Sequence, residues 1–312
     1  MARYRNALPQ LSGRLFLTDG GLETCLIFHD GRDLPHFAAF DLLRSAEGRE
    51  TLKRYYRPYL DIARAQNTGF VLESATWRAS PDWGEKLGYS AEDLAEANRT
   101  SIELLEELRA EDRPNGRPIV ISGCVGPRGD GYDPGEVMSP LEAQNYHAAQ
   151  IGCFRDTAAD MVTAITMTNT PEAIGVTRAA VAAGLPVAIS FTLETDGNLP
   201  TGESLPRAIG AVDAATGGAP AYYMINCAHP THFMSVLAEG GEWTNRLRGL
   251  RANASSRSHA ELDQATDLDD GDPVELGRQY AQIRRRMPRI SVLGGCCGTD
   301  CRHVEQISLA CT

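Results

Sequence analysis

Ile290-Ser-Val-Leu-Gly-Gly-Cys-Cys-Gly-Thr-Asp300 is an apolar run of β type that ends in glycines and then presents two adjacent cysteines, Cys296 and Cys297. A second run, Ala221-Tyr-Tyr-Met-Ile-Asn-Cys-Ala-His-Pro230, ends in the same way on Cys227. Short apolar runs bounded by glycine or proline are typical of strands. We therefore predict two strands, each of which delivers cysteine sulfur at its carboxyl-terminal tip.

Eight strand-like runs of this kind occur along the chain, and helical patterns such as 50–66 and 91–110 separate most of them. The runs cover residues 15–18, 70–72, 119–122, 161–165, 187–191, 222–225, 247–250 and 291–293. Alternation of strand with helix predicts parallel strands joined by helical crossovers, and eight strands can close a barrel. We therefore predict an α/β fold, a (β/α)8 TIM barrel that forms a single domain over residues 1–312.

A doubly wound open sheet is the competing architecture. Its phosphate-binding Gly-x-Gly-x-x-Gly turn is absent after the first strand, where Asp19-Gly20-Gly21 forms only a short turn. No linker rich in glycine, serine or proline divides the 312 residues, a length that single barrels reach. The acidic stretch 263–272 is expected to be a solvated loop or a helix start. In a barrel, both cysteine motifs fall at the carboxyl ends of strands, the face that carries the chemistry.

Composition limits the classes of function. The formal charge of -11 disfavours nucleic-acid binding, which rests on clustered positive charge. No stretch approaches the uncharged apolar length of a membrane span, and the first residues lack an apolar signal core, so we expect a cytoplasmic protein. The 8 cysteines, without a secretion signal, indicate thiols kept reduced rather than a disulfide framework. None of these patterns encodes an oligomeric state.

Three cysteines at two strand tips suit a zinc site. Thiolates from Cys227, Cys296 and Cys297 match the ligands that zinc prefers, and they leave a fourth position for a substrate. The surrounding glycines remove side chains where two neighbouring cysteines must turn their sulfurs toward one point. A single cysteine is more typical of a small buried apolar residue, whereas the whole cluster favours a metal.

With these motifs the sequence resembles the homocysteine S-methyltransferase family, zinc-dependent enzymes that move a methyl group onto the sulfur of homocysteine and form methionine. The resemblance covers nearly the whole chain. Its motifs are Thr18-Asp-Gly-Gly-Leu-Glu-Thr24, Glu73-Ser-Ala-Thr-Trp77, Asn226-Cys227 and Gly294-Gly-Cys-Cys-Gly-Thr299. The resemblance implies that Cys227, Cys296 and Cys297 bind Zn2+ and that catalysis needs no residue beyond this metal centre.

The resemblance also implies the substrate contacts, with a small-molecule thiol acceptor and a methyl donor as the partners. The residues expected to bind substrate are Asp19, Gly20, Glu73, Ser74, Trp77 and Asn253. Asp19 and Gly20 are expected beside the amino and carboxylate groups of homocysteine. Asn253 matches an asparagine that the family carries near the site, although an asparagine that caps a turn is an equally good interpretation.

The implied chemistry depends on the acceptor thiol. A free thiol has a pKa of about 8.5, and only the thiolate attacks carbon well. Zinc displaces the thiol proton, and three cysteinates give the site a net charge of about -1, so that a fourth thiolate stays electron-rich. Methyl transfer is then an in-line displacement on a cationic donor and needs no general base.

The donor is expected to be a sulfonium, such as S-methylmethionine or S-adenosylmethionine. Trp77 and Trp83 offer aromatic faces to a cation, or alternatively they pack at the barrel mouth. Betaine-using relatives have a tyrosine where this chain has Arg78, so betaine is disfavoured. Folate is disfavoured because the chain lacks the extra domains of the cobalamin-dependent enzymes.

One position departs from the family. Family members place a glutamate on the fourth strand, where its carboxylate binds the amino group of homocysteine, but Ile165 occupies this position here. An apolar residue cannot compensate an ammonium group. Either Glu73 or Glu194 supplies the charge from a neighbouring strand, or the acceptor is a thiol without that amino group.

Two other functions are compatible with the cysteines. A structural or regulatory barrel protein would close its zinc site with Cys301 as a fourth ligand. A lyase or hydrolase would use zinc to activate water, a task for which three thiolates make a poor Lewis acid. His229 and His232 follow Cys227 closely, yet they are weaker candidate ligands than Cys297.

Overall fold

The computed structural model describes residues 1–112 and 116–312. Within them, parallel strands close into a barrel in the order of the sequence, and β8 pairs with β1. The strands are β1 Phe16–Leu17, β2 Gly69–Glu73, β3 Ile119–Val125, β4 Met161–Met167, β5 Val187–Thr192, β6 Tyr222–Asn226, β7 Leu247–Ala252 and β8 Val292–Gly295. The predicted single-domain (β/α)8 TIM barrel is confirmed.

Helices connect the strands. They are α1 Leu22–Thr24, α2 Ala46–Ala65, α3 Pro81–Lys86, α4 Ala91–Glu111, α5 Pro140–Arg155, α6 Thr170–Ala182, α7 Leu205–Thr216, α8 Pro230–Glu239, α9 His259–Asp263, α10 Pro273–Arg286 and α11 Cys301–Cys311. The helical patterns 50–66 and 91–110 correspond to α2 and α4. Both helices begin at serine N-caps, Ser45 and Ser90, whose side chains accept hydrogen bonds from first-turn N–H groups.

The acidic stretch 263–272 links α9 to α10, and Asp272 caps α10 through hydrogen bonds from the N–H groups of Val274 and Glu275. The predicted helix start is therefore confirmed. None of the described helices is long and apolar enough to cross a membrane.

Alternating side chains fill the barrel in layers. The layer at the amino-terminal end is apolar and consists of Phe16, Val71, Val120, Met161, Ala188, Tyr222, Met224 and Val292, together with Leu8 of the preceding segment. Two residues further along the strands, the inward positions are largely polar. They include Glu73, Ser122, Thr163, Ser190, Asn226 and Arg251, all of them buried. The apolar layer thus closes one end of the barrel, and the polar layer forms the floor of the other.

Candidate metal centre and substrate cavity

A cavity of about 480 Å³ opens at the carboxyl ends of the strands. Its walls bring together most of the predicted site residues: Asp19, Gly20, Glu73, Ser74, Trp77, Cys227, Cys296 and Cys297. Asn253 differs, because it is buried and does not line the cavity. Its N–H donates to the carbonyl of Ala228, and its side-chain Oδ1 has no hydrogen-bond partner among the described residues. A substrate contact for Asn253 therefore stays a prediction.

Three cysteines meet at one wall of the cavity. Their Sγ atoms all lie within 4.8 Å of one another. The Sγ of Cys227 lies 2.7 Å from that of Cys296 and 3.6 Å from that of Cys297, and all three residues are free cysteines. Cys227 directly follows β6, and the other two directly follow β8. The two strand tips therefore deliver three sulfurs to one place.

Glycines make this convergence possible. A Cβ at Gly294 would collide with the hydroxyl of Thr18. Gly298, which follows the cysteine pair, has a φ of 76°, in the left-handed region that glycine adopts most readily. A side chain at either position would displace the loop after β8 that holds two of the three sulfurs.

The surroundings of the sulfurs favour one thiolate. The Cys227 and Cys297 thiols donate hydrogen bonds to Cys296. These bonds, with the nearby Arg251 guanidinium, lower the pKa of the Cys296 thiol well below its usual value. The Asn226 amide also donates to the Cys296 sulfur, at 3.8 Å. An anionic sulfur with two further thiols beside it is a donor set that zinc binds, so these residues fit the predicted metal and would hold it.

In the part of the chain that the structure describes, no further cysteine or histidine joins this group. Cys301 begins α11 and packs against the apolar core instead. The His229 ring shares a hydrogen bond with Thr231, and the His232 ring contacts the carbonyl of Ser256. Cys301 therefore does not close the site, and the geometry supports an open group of three sulfurs.

Asp19 is already paired within the protein. Its carboxylate accepts hydrogen bonds from Arg251 at 2.8 Å and from the Tyr55 hydroxyl at 3.0 Å. Arg251 also donates to the carbonyl oxygens of Gly20 and Gly295, at 3.1 and 3.0 Å. Burial raises the pKa of Asp19, whereas the Arg251 charge acts in the opposite direction. Asp19 thus lines the cavity and, through Arg251, holds the loop after β1 against β8.

Glu73 lies on the floor of the cavity. One of its oxygens accepts a hydrogen bond from the Thr163 hydroxyl at 2.9 Å, and the other has no hydrogen-bond partner among the described residues. Burial raises the pKa of Glu73 to about 7, against the influence of Arg251. The adjacent Ser74 supports the fold, because its hydroxyl accepts a hydrogen bond from the N–H of Cys124 on β3.

The tryptophan rings already contact cations of the protein. The guanidinium carbon of Arg78 lies 4.1 Å from the ring centre of Trp77 and 3.7 Å from that of Trp83. The Nζ of Lys86 lies 3.8 Å from the Trp83 ring centre. Arg78 is buried and donates to the carbonyl of Gly129 at 2.8 Å. A cationic donor would therefore meet a positive charge beside both rings, and a donor contact for Trp77 stays a prediction.

Ile165 lines the cavity as an apolar residue of β4. Of the two glutamates expected to replace the missing charge, Glu194 does not line the cavity, and its carboxylate pairs with His259 Nδ1 at 2.9 Å. Glu73 does line it. Its partner Thr163 precedes Ile165 by two residues on the same face of β4, so the Glu73 carboxylate lies about one layer below Ile165.

The cavity residues that have no role in the sequence-based prediction include Glu23, Tyr132 and Arg251. Arg251 does carry a signal, because a charged residue within a buried strand needs a partner. Glu23 lies inside a quoted motif, but nothing in the pattern separates it from an exposed glutamate. The Tyr132 hydroxyl lies 3.6 Å from the Cys297 sulfur, and its ring stacks on His259 with 4.0 Å between ring centres. It comes from the loop after β3, and no sequence pattern links it to the cysteines.

The fold and the site together define a class, that of TIM-barrel proteins with a cysteine cluster at the catalytic face. Residues 16–311 match the homocysteine S-methyltransferase family, and the chain belongs to this family. Membership places it among methyltransferases that act on homocysteine or a related thiol.

Individual relatives are distant but cover most of the chain. Homocysteine S-methyltransferase 4 from Zea mays is 24% identical, over 96% of this chain and 90% of its own length. Selenocysteine Se-methyltransferase from Brassica oleracea var. italica is 25% identical, over 95% and 88%. The oxidized form of the homocysteine methyltransferase MmuM from Escherichia coli has a TM-score of 0.76 and 20% identity, with 95% of this chain and 96% of that chain covered. Its metallated form has a TM-score of 0.73 and 19% identity. These crystal structures share the fold.

Proposed function

We propose that this protein is a zinc-dependent S-methyltransferase that acts in the cytoplasm as one domain over residues 1–312. It transfers a methyl group from a sulfonium donor, such as S-methylmethionine, to the thiol of homocysteine or a related acceptor. With homocysteine the product is methionine. Cys227, Cys296 and Cys297 hold the zinc, and both partners are small molecules.

The observation that carries this proposal is the convergence of three sulfurs on a cavity of small-molecule size. Bound zinc would keep an acceptor thiol in its reactive thiolate form at neutral pH. The relatives from Zea mays and Brassica oleracea are named for homocysteine and selenocysteine, and both names support an amino acid acceptor.

The walls of the cavity favour the transfer step itself. Leu22, Trp77 and Ile165 give the cavity apolar surface next to its polar floor. A methyl group that passes from a sulfonium to a thiolate removes one positive and one negative charge. Surroundings that exclude water therefore favour the transition state, in which both charges are already diminished, over the separated ions.

Methyl transfer can be tested with zinc-loaded protein, homocysteine and a panel of donors. The homocysteine should carry deuterium, because S-methylmethionine itself becomes methionine when it loses a methyl group. Mass spectrometry is expected to detect deuterated methionine with a sulfonium donor and little with betaine. The Cys297→Ser protein is the matched control. If fully zinc-loaded protein methylates no thiol with any donor, the proposed function is wrong.

A further inference from the structure

Glu23 lies in the cavity beside the cysteine cluster. It belongs to the short helix α1, which begins directly after Gly21. The N–H of Gly21 donates to the carbonyl of Thr299 at 2.9 Å, and the Thr24 hydroxyl accepts from the N–H of Gly298 at 3.1 Å. These two bonds tie the segment around Glu23 to the loop that carries the adjacent cysteine pair.

Among the described residues, the carboxylate of Glu23 is paired with no other residue and accepts a hydrogen bond only from its own backbone. Glu23 interacts electrostatically with two arginines, Arg251 and Arg78, but both have other hydrogen-bond partners. Arg251 pairs with Asp19, and Arg78 donates to the carbonyl of Gly129. Glu23 is therefore available to a ligand.

An unpaired carboxylate is unfavourable in this position. Burial raises the pKa of Glu23 to about 7. Ile165 adds apolar surface to the same cavity. A buried carboxylate in an apolar cavity becomes favourable when a cation enters the cavity with the ligand. A thiol that also carries an ammonium group supplies that cation.

We infer that Glu23 binds the ammonium group of the acceptor, so that the enzyme selects amino thiols over thiols without an amino group. This inference rests on the proposed function, because it takes the three sulfurs as the place where the acceptor thiol binds. Glu23 therefore binds the amino group of the acceptor, whereas Asp19 remains paired with Arg251.

The test compares the binding of two thiols with the same carbon chain, homocysteine and 4-sulfanylbutanoate, which lacks the amino group. Cobalt replaces zinc, and the absorbance of the cobalt–sulfur bond reports thiol binding without any methyl transfer. Wild-type protein is expected to bind homocysteine roughly ten- to a hundredfold more tightly, the effect of a hydrogen bond between charged groups. Glu23→Gln should reduce this ratio to near one.

Matched variants separate Glu23 from the other carboxylates. Glu194→Gln should retain the preference, because Glu194 pairs with His259 outside the cavity. Adding Ile165→Glu to Glu23→Gln returns a carboxylate to the same cavity and should restore part of the preference. The inference is overturned if Glu23→Gln keeps the wild-type ratio, or if Glu73→Gln abolishes the preference and Glu23→Gln does not.

Failure of the proposed function would give a different result. If wild-type protein prefers homocysteine through Glu23 but transfers no methyl group from any donor, the recognition of amino thiols stands and the proposed reaction is wrong. If neither thiol changes the cobalt spectrum of wild-type protein, both are wrong.

Discussion

Replacing Arg251 by methionine tests the ion pair that joins the loop after β1 to the end of β8. The side chains of Arg251 and Asp19 are 7% and 5% exposed, and 2.8 Å separates their charged atoms. Methionine is also long and unbranched, but it removes the hydrogen bonds to Asp19 and to the carbonyls of Gly20 and Gly295. The Asp19 carboxylate then stays buried with the Tyr55 hydroxyl as its remaining side-chain partner.

The expected loss of stability is large. Removing one partner of a buried ion pair costs about 3 to 5 kcal/mol, because the other charge stays buried without compensation. We therefore expect Arg251→Met to lower the free energy of unfolding by about 4 kcal/mol. The double mutant Asp19→Asn/Arg251→Met should recover about 2 kcal/mol, since a neutral amide is less costly to bury than an unpaired carboxylate.

Urea unfolding of zinc-free protein, followed by circular dichroism, measures these differences. Arg248→Met is the matched control, because Arg248 lies on the same strand and its only side-chain hydrogen bond among the described residues is to the carbonyl of Arg289. The control should change the free energy of unfolding by less than about 1 kcal/mol. A similarly small loss in Arg251→Met, or a double mutant as unstable as the sum of the single mutants, would refute the reasoning.

Three further results are expected. Cys297→Ser should lose most of the bound zinc by elemental analysis, while Cys301→Ser should keep about one zinc per chain, and full occupancy in the first variant would contradict the ligand assignment. Burial raises the pKa of Glu73 from 4.5 to about 7, so its neutral form stabilises the fold below pH 4.5 and this contribution is lost as the pH rises through 7. Between pH 4.5 and 8, the free energy of unfolding of wild-type protein, measured with urea, should therefore fall by on the order of 3 kcal/mol relative to that of Glu73→Gln. If the stabilities of the two proteins depend on pH in the same way, the raised pKa of Glu73 is wrong. Arg78→Gln removes the cation beside Trp77 and should lower the KM of a sulfonium donor several-fold in initial-rate assays, whereas a higher KM would show that Arg78 assists the donor.

The fold could be predicted because every strand contains a short apolar run. The predicted runs stop early where the strands continue through polar residues. The second run ends at residue 72, the fifth at 191 and the sixth at 225, whereas the strands reach Glu73, Thr192 and Asn226. These side chains are buried at the carboxyl end of the barrel. Glu73 accepts a hydrogen bond from Thr163 on β4, and Asn226 accepts one from Ser190 on β5. A pattern of apolar residues does not reveal contacts of this kind.

The site could be predicted only where its residues lie in recognisable motifs. The cysteines end two recognisable strands, so their convergence follows from the barrel. The pairing of Arg251 with Asp19 joins positions 232 residues apart, and neither flanking sequence indicates it. The contact of Arg78 with Trp83 likewise depends on how the loop after β2 folds back on itself, which composition and periodicity do not specify.

The hydrogen bonds of Asn226 explain why an asparagine ends β6, directly before Cys227. Cys227 has a φ of 52° and Thr166 on β4 has a φ of 63°, both in a left-handed region that costs about 1 to 3 kcal/mol for residues with a side chain. The Asn226 Oδ1 accepts hydrogen bonds from the Thr166 N–H at 2.9 Å and from the Ser190 hydroxyl at 2.6 Å. Its Nδ2 donates to the Thr166 hydroxyl at 2.8 Å. Because buried bonds of this kind offset the strain at Thr166, the Asn226 amide joins β6 to β4 and β5 directly before Cys227, whose sulfur lies 2.7 Å from that of Cys296.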